Sequence, residues 1–114
     1  MRRAVGVLLL LEATTFEIAA SLHYGRWNKA ALPEAIIGGI LVLGAVGAFR
    51  GSWRAALAAT ALSVAGVSIG VATIAAGIGP QTAPDVAYHV VILSVLLGSL
   101  VAMLRPGARR AFAR

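Results

Sequence analysis

Four long apolar runs, separated by short polar stretches, dominate the chain. They cover approximately residues 4–24, 33–49, 54–79 and 85–104, which is 17 to 26 residues each. About 20 helical residues cross the ~30 Å hydrocarbon layer of a bilayer, whereas a transmembrane β-strand needs about ten residues of alternating polarity. The runs do not alternate. The sequence therefore predicts an all-α, polytopic membrane protein: a four-helix transmembrane bundle that forms a single domain over residues 1–114.

The distribution of positive charge predicts the orientation of this bundle. The chain is 60% hydrophobic and only 12% charged, with ten Lys and Arg residues. Eight of the ten fall at one end of the predicted helices: Arg2, Arg3, Arg50, Arg54, Arg105, Arg109, Arg110 and Arg114. Only Arg26 and Lys29 fall at the other end. Because positive residues collect on the cytoplasmic side, both termini are expected to be cytoplasmic in a multi-pass protein of the inner (plasma) membrane.

The basic tail, residues 105–114, is expected on the cytoplasmic side, either on the inner leaflet with Phe112 as a minor anchor or as a solvated stop-transfer tail. Basic residues beside membrane helices more often meet anionic lipid headgroups than nucleic acid. The predicted partner is therefore the lipid bilayer and no nucleic acid. The chain contains no cysteine, so disulfides and thiol chemistry are excluded.

Helix-start signals and small residues punctuate the later helices. Pro33 in the first turn predicts the start of the second helix, and Asp85 predicts the N-cap of the fourth. The second and third helices are rich in glycine, including a GxxxG at Gly66 and Gly70. Small residues allow helix backbones to approach closely, so these faces are expected to pack inside the chain, against a second copy, or against a larger membrane complex. The alternative for the third helix is a substrate groove along its smooth face.

The polar residues inside the runs are the candidates for chemistry. With helices of alternating direction, four of them meet at the outer end: His23, Glu34, Asp85 and His89. Glu17 lies about 9 Å further in along the first helix, at 1.5 Å per residue, and Glu12 lies deeper still. We expect these six residues to form an outer-facing site that binds a small ligand or protons.

The same outer group has the composition of a divalent metal site. Neutral imidazole and carboxylate oxygen both bind zinc-like ions, so His23, His89, Glu34 and Asp85 form a candidate metal set. Asp85 and His89 are four residues apart on one helix face, which also suits a carboxylate that orients an imidazole. The alternative is that both histidines are interfacial side chains that contact water, headgroups or a neighbouring carbonyl.

Glu12 is the most unusual residue, because it lies near the middle of the first predicted span. A charged carboxylate at that depth costs about 3 kcal/mol on insertion scales. Acids at this depth are candidates for a functional role, here the carriage of protons. The structural alternative is a neutral carboxyl that hydrogen-bonds to Thr15 or to another helix.

Two resemblances bear on function. A short four-helix chain with an embedded acid such as Glu12 resembles the small multidrug resistance transporters, in which that acid exchanges protons for a cationic substrate. The patterns Leu11-Glu12-Ala13 with His23, and Gly79 to Asp85 with Tyr88 and His89, are similar to a group of small bacterial four-helix membrane proteins of uncharacterised activity. The first resemblance implies transport, and the second implies no particular activity.

The leading hypothesis is a membrane protein that binds or transports a small ligand or ion through an outer-facing polar pocket. The alternative is a structural or accessory subunit that docks on a larger complex through its glycine-rich helices. No pair of nucleophile and base stands out, which disfavours an enzyme. The sequence does not identify a cofactor, and a homodimer stays open as a partner hypothesis.

Overall fold

The computed structural model describes residues 1–79 and 81–114, and the described chain is entirely helical, as predicted. It contains four long helices and one short one. These are α1 (Arg2–His23), α2 (Asn28–Phe49), α3 (Trp53–Ala75), α4 (Ala83–Leu104) and α5 (Ala108–Ala113). Pro80, which the sequence places in the connection between α3 and α4, lies outside the described residues.

The predicted start of α2 is wrong by five residues. α2 begins at Asn28, so Pro33 lies inside the helix instead of in its first turn. Proline lacks the N–H that would bond to the carbonyl four residues earlier, here that of Lys29. Lys29 and Pro33 are both exposed, and this part of the helix tolerates the gap because water reaches it. The side chain of Asn28 also accepts a bond of 2.8 Å from the backbone N–H of Gly25.

The bounds of α3 and α4 also differ from the prediction. α3 ends at Ala75, four residues early, because Gly77 adopts a left-handed conformation with φ +73°. The N–H of Ile78 then bonds back to the carbonyl of Thr73 at 2.9 Å, which closes the helix end. α4 begins at Ala83 with Thr82 as its N-cap, so Asp85 is a first-turn acid and not the cap itself.

The basic tail forms a helix that packs on the bundle. Gly107, with φ +87°, turns the chain after α4, and α5 follows directly. Phe112 is fully buried in the main hydrophobic cluster, and Ala108 is buried beside it. The prediction of Phe112 as an anchor on the membrane surface is therefore wrong. Packing against the helix ends removes more of the apolar surface of Phe112 from water than a position at the headgroup boundary would.

Consecutive long helices run antiparallel. Gly6 near the start of α1 faces Phe49 at the end of α2. Further along α1, Glu17 faces Gly38, which lies earlier in α2. Gly66 of α3 contacts Ile37 of α2. At the other end of the bundle, the indole N–H of Trp53 at the start of α3 donates 2.8 Å to the carbonyl of Met103 near the end of α4.

Two ends of the bundle can be named from this arrangement. The end with His23, the last residue of α1, and Asp85, in the first turn of α4, is the histidine end. The opposite end, which holds Arg2, Arg50 and Arg105, is the arginine end. α1 and α2 pack closely along their length, whereas α1 and α4 meet mainly through side chains.

The surface of the four long helices is apolar. Leu11, Leu22 and Leu43 are each more than 60% exposed, as lipid-facing residues are. Each of the four is long and apolar enough to cross a membrane. By length and composition the chain is a small multi-pass membrane protein.

Candidate functional site

His23 connects three helices at the histidine end. Its Nδ1 lies 2.8 Å from Oε2 of Glu34 in α2, and its Nε2 lies 3.2 Å from Oδ1 of Asp85 in α4. The hydroxyl of Thr82 donates to the second oxygen of Asp85. We call the three residues Glu34, His23 and Asp85 the histidine bridge. It joins α1 to both α2 and α4 through side chains.

The bridge has two acceptors and one imidazole between them. A carboxylate only accepts hydrogen bonds, and a neutral imidazole donates only one, so a doubly protonated His23 satisfies both carboxylates at once. The side chains of His23, Glu34 and Asp85 are 15%, 8% and 17% exposed. At that burial each charge depends on its partner, because water solvates it only in part.

His89 is close to this bridge but is not a member of it. Its Nδ1 lies 2.7 Å from the backbone carbonyl of Asp85, one turn earlier in α4. The expectation that the Asp85 carboxylate orients this imidazole is therefore wrong: the carboxylate faces His23 across the bundle. A carbonyl can only accept, so Nδ1 carries the proton, and in the neutral ring Nε2 is an acceptor.

Nε2 of His89, which has no hydrogen-bond partner among the described residues, lies beside a glycine of α3. The position that a Cβ would occupy at Gly70 is 3.3 Å from Nε2 of His89. The ring also packs edge-on against Tyr88 at 5.6 Å between centroids. Tyr88 in turn packs edge-on against Phe16 of α1 at 5.8 Å. Gly70 thus leaves open the space that a larger α3 residue would fill in front of His89.

A cavity of about 680 Å³ lies between the helices at the histidine end. Its polar wall contains His23, Glu34 and His89, and its rim contains Arg26 and Lys29. Most of the remaining lining is apolar or small: Phe16, Trp27, Pro33, Ile37, Gly66, Val67, Ile69, Gly70, Ile74 and Ile78. We call this space the histidine cavity. Its volume is in the range of small-molecule sites, which is about 300 to 1,000 Å³.

The small residues of α3 divide into two groups. Towards the arginine end they pack: Ala59 lies against Gly44, and Ala55 lies against Gly47. Towards the histidine end, Gly66 and Gly70 line the cavity. The sequence favoured packing over a groove for the whole stripe, whereas this part of α3 lines a cavity. The signal was the GxxxG itself, which fits either close packing or an open groove.

Glu17 does not line the histidine cavity. Glu17 is exposed on the outside of α1. Its carboxylate lies in the groove that Gly38 of α2 leaves open. A Cβ at position 38 would collide with that carboxylate. The predicted inward path from the outer pocket through Glu17 is therefore wrong, because Glu17 points to another side of the helix.

Glu12 is buried in the core, away from the cavity. It is 3% exposed, and neither of its carboxyl oxygens has a hydrogen-bond partner among the described residues. The hydroxyl of Thr15 instead donates 2.7 Å to the backbone carbonyl of Glu12. The bond from the Glu12 carboxyl to Thr15 that the sequence suggested is absent from the described chain.

The register of the helices places Glu12 at the same level along the bundle as another buried polar residue. Leu9 of α1 and Ala59 of α3 both lie against Gly44, so the residues one turn nearer the histidine end share a level. These are Glu12 and Ser63, and both are buried. Ser63 donates its proton to the carbonyl of Ala59 at 2.8 Å and has none left for Glu12.

We expect the Glu12→Leu variant to be more stable than the natural protein. Burying an unsatisfied polar group costs about 1 to 3 kcal/mol, and leucine removes that cost at similar volume. Thermal unfolding in one detergent at neutral pH measures the change, with Glu17→Leu as the control for an exposed carboxylate. A fall in the melting temperature of Glu12→Leu would show that the carboxyl makes a bond in the folded protein.

The four residues of the predicted metal set are not arranged around one point. His23 faces Glu34 and Asp85, whereas His89 faces a backbone carbonyl and Gly70. Within residues 1–79 and 81–114, no group of three or more His, Cys, Asp or Glu residues is arranged to hold a metal ion. The site is a hydrogen-bonded bridge beside a largely apolar cavity.

In comparisons with known proteins, no protein-family model, curated protein or solved structure matches the chain.

Proposed function

We propose that the protein binds a small, mainly apolar molecule with one hydrogen-bond donor in the histidine cavity. The observation that carries this proposal is Nε2 of His89, which has no hydrogen-bond partner among the described residues and faces a largely apolar cavity in which His23 and Glu34 are bonded to each other. Small-molecule sites combine an apolar lining with a few placed polar groups, and here the placed group is an acceptor. A hydroxyl or N–H of the ligand would bond to it.

The lining favours a molecule over a bare ion. An ion must exchange its hydration for several oxygen or nitrogen ligands, and the carboxylates at this site are already bonded to His23. The apolar side chains of Phe16, Ile37 and Ile74 offer such an ion nothing. They instead favour the apolar body of an organic ligand, because its burial removes apolar surface from water.

The orientation that we propose puts the histidine cavity on the outside of the plasma membrane. It follows from the eight arginines at the opposite end, against Arg26 and Lys29 at the rim of the cavity. Both termini are then cytoplasmic. A ligand would enter from the outer aqueous phase or from the outer leaflet.

Binding is the step that the static geometry supports, and transport would require a further rearrangement. Leu9, Leu41 and Leu96 are fully buried in the core cluster that separates the cavity from the arginine end. A path through the chain would need these helices to separate. Glu12 lies within that core, and the same motion would expose it to water. A proton-carrying role for Glu12 would require that exposure.

Equilibrium dialysis against protein in lipid nanodiscs tests this function, with empty nanodiscs subtracting simple partition. The probes are naphthol and methoxynaphthalene, which differ in the hydroxyl donor. We expect saturable binding near one naphthol per chain, and a preference for naphthol of about fivefold to tenfold, which is the net value of one hydrogen bond. The preference should disappear in His89→Phe.

Two glycine variants separate filling of the cavity from a general effect on the helices. Gly70→Leu fills the space in front of His89 and is expected to weaken naphthol binding at least about tenfold, because the displaced apolar contacts are worth more than 1.4 kcal/mol. Gly39→Leu is the control, because a Cβ there would meet nothing within 4 Å. Binding that is absent, or equal in Gly70→Leu and the natural chain, would refute the proposal.

The alternative function, an accessory subunit that docks through its glycines, has less support. Gly38, Gly44, Gly47 and Gly66 are occupied by contacts inside the chain. Gly39 and Gly98 are open but lie on different helices, α2 and α4. Recovery of a stoichiometric partner that is lost in Gly39→Leu or Gly98→Leu would favour docking over ligand binding.

A further inference from the structure

The arginine end carries a large positive charge that the chain itself does not neutralise. Eight arginines lie there, whereas the four acidic residues are Glu12, Glu17, Glu34 and Asp85. In the part of the chain that the structure describes, both ion pairs are those of His23 at the opposite end. The arginines are therefore available to an anion from outside the chain.

A pocket of about 400 Å³ gathers three of these arginines. It is lined by Met1, Arg2, Arg3, Ala111 and Arg114, which belong to the start of the chain and to α5. We call it the arginine pocket. It lies where the membrane-spanning part of α1 begins, which is the level of lipid headgroups.

The packing of α5 builds this pocket. The fully buried Phe112 holds α5 against the bundle, so Ala111 and Arg114 are held beside the first turn of α1. Arg2 is half-buried, and its guanidinium lies 3.3 Å from the place of a Cβ at Gly51 in the turn between α2 and α3. The side chain of Arg2 thus lies near that turn and lines the pocket together with α5.

We propose that the arginine pocket binds a phosphate group, carried by an anionic phospholipid. Guanidinium groups bond to phosphate oxygens through two parallel N–H donors, and basic pockets at the ends of membrane helices recognise phospholipid headgroups in this way. Free inorganic phosphate has the same chemistry and is the second source to be tested. This site is independent of the histidine cavity and its ligand.

Native mass spectrometry of the full-length chain, with added phosphatidylglycerol or phosphatidylcholine, measures the binding. The triple variant Arg2→Gln, Arg3→Gln, Arg114→Gln removes the pocket charge. Each arginine near anionic lipid contributes about a fivefold gain in affinity, so the triple variant should bind phosphatidylglycerol about 100-fold more weakly. The matched control, Arg105→Gln with Arg109→Gln and Arg110→Gln, removes the same number of charges from the same end outside the pocket. It should weaken binding clearly less, because only the pocket arginines can contact one phosphate together.

A second variant keeps every arginine in place. Ala111→Glu puts a carboxylate into the pocket, where it can pair with the arginines. It is expected to weaken phosphatidylglycerol binding about as much as the triple variant does. Equal binding of phosphatidylglycerol in the natural chain, the triple variant and Ala111→Glu would overturn the proposal. Binding of inorganic phosphate without phosphatidylglycerol would overturn the lipid source, as would phosphatidylcholine binding of equal strength.

Discussion

Replacement of His23 by leucine is expected to lower the free energy of unfolding by about 3 to 5 kcal/mol. Removal of one partner from a buried charged pair leaves an uncompensated charge, which is what makes such changes severe. Here the same substitution leaves two such groups, Glu34 and Asp85, with His23 no longer between them. Leucine has a similar volume, so the loss reports on charge more than on packing.

Two comparisons isolate that cause. His89→Leu removes one hydrogen bond to a backbone carbonyl and should cost only about 1 kcal/mol. In a protein that already carries Glu34→Gln and Asp85→Asn, His23→Leu leaves no unpaired charge. There it should lower the free energy of unfolding by no more than half as much as in the natural protein. Chemical unfolding in mixed micelles measures all of these variants. Equal losses for His23→Leu and His89→Leu would show that the bridge does not hold the helices together.

Replacement of Gly44 by leucine is expected to destabilise the bundle by about 3 kcal/mol or more. The position of a Cβ at Gly44 is already occupied by the Cβ of Ala59, and Leu9 of α1 is 3.4 Å away. A larger side chain would force α2 away from both neighbours, and overpacking of a filled core costs about 1 to 3 kcal/mol even for smaller insertions.

Gly39, in the same helix, supplies the control for that substitution. A Cβ at Gly39 meets nothing within 4 Å, so Gly39→Leu should be neutral or slightly stabilising through its better helix propensity. Melting temperatures and the yield of folded protein from matched preparations measure both variants. A Gly44→Leu protein as stable as Gly39→Leu would contradict the close contact of α1, α2 and α3.

The four long helices were predictable because a membrane span requires a long unbroken apolar run, and the chain contains four. The joint position of His23, Glu34 and Asp85 at one end also followed from the sequence, since helices of alternating direction bring the end of α1 to the starts of α2 and α4. Their distances did not follow, because those depend on the rotation of each helix.

Helix rotation and register explain most of what the sequence missed. Glu12 and Glu17 are five residues apart, and the structure buries one and exposes the other. Pro33 inside α2 and Thr82 as the cap of α4 reflect local hydrogen bonds that compete with the usual start signals. The burial of Phe112 depends on the other helix ends, which no local pattern describes.

The protonation and contacts of His89 are the most direct test of ligand binding in the histidine cavity. Nitrogen chemical shifts of the imidazoles, recorded at mildly alkaline pH in nanodiscs, distinguish a protonated Nδ1 from an acceptor Nε2. We predict that naphthol shifts the Nε2 resonance of His89, that methoxynaphthalene does not, and that His23 changes little with either. An Nε2 resonance of His89 that stays fixed while naphthol saturates the protein would show that the ligand does not bond to His89.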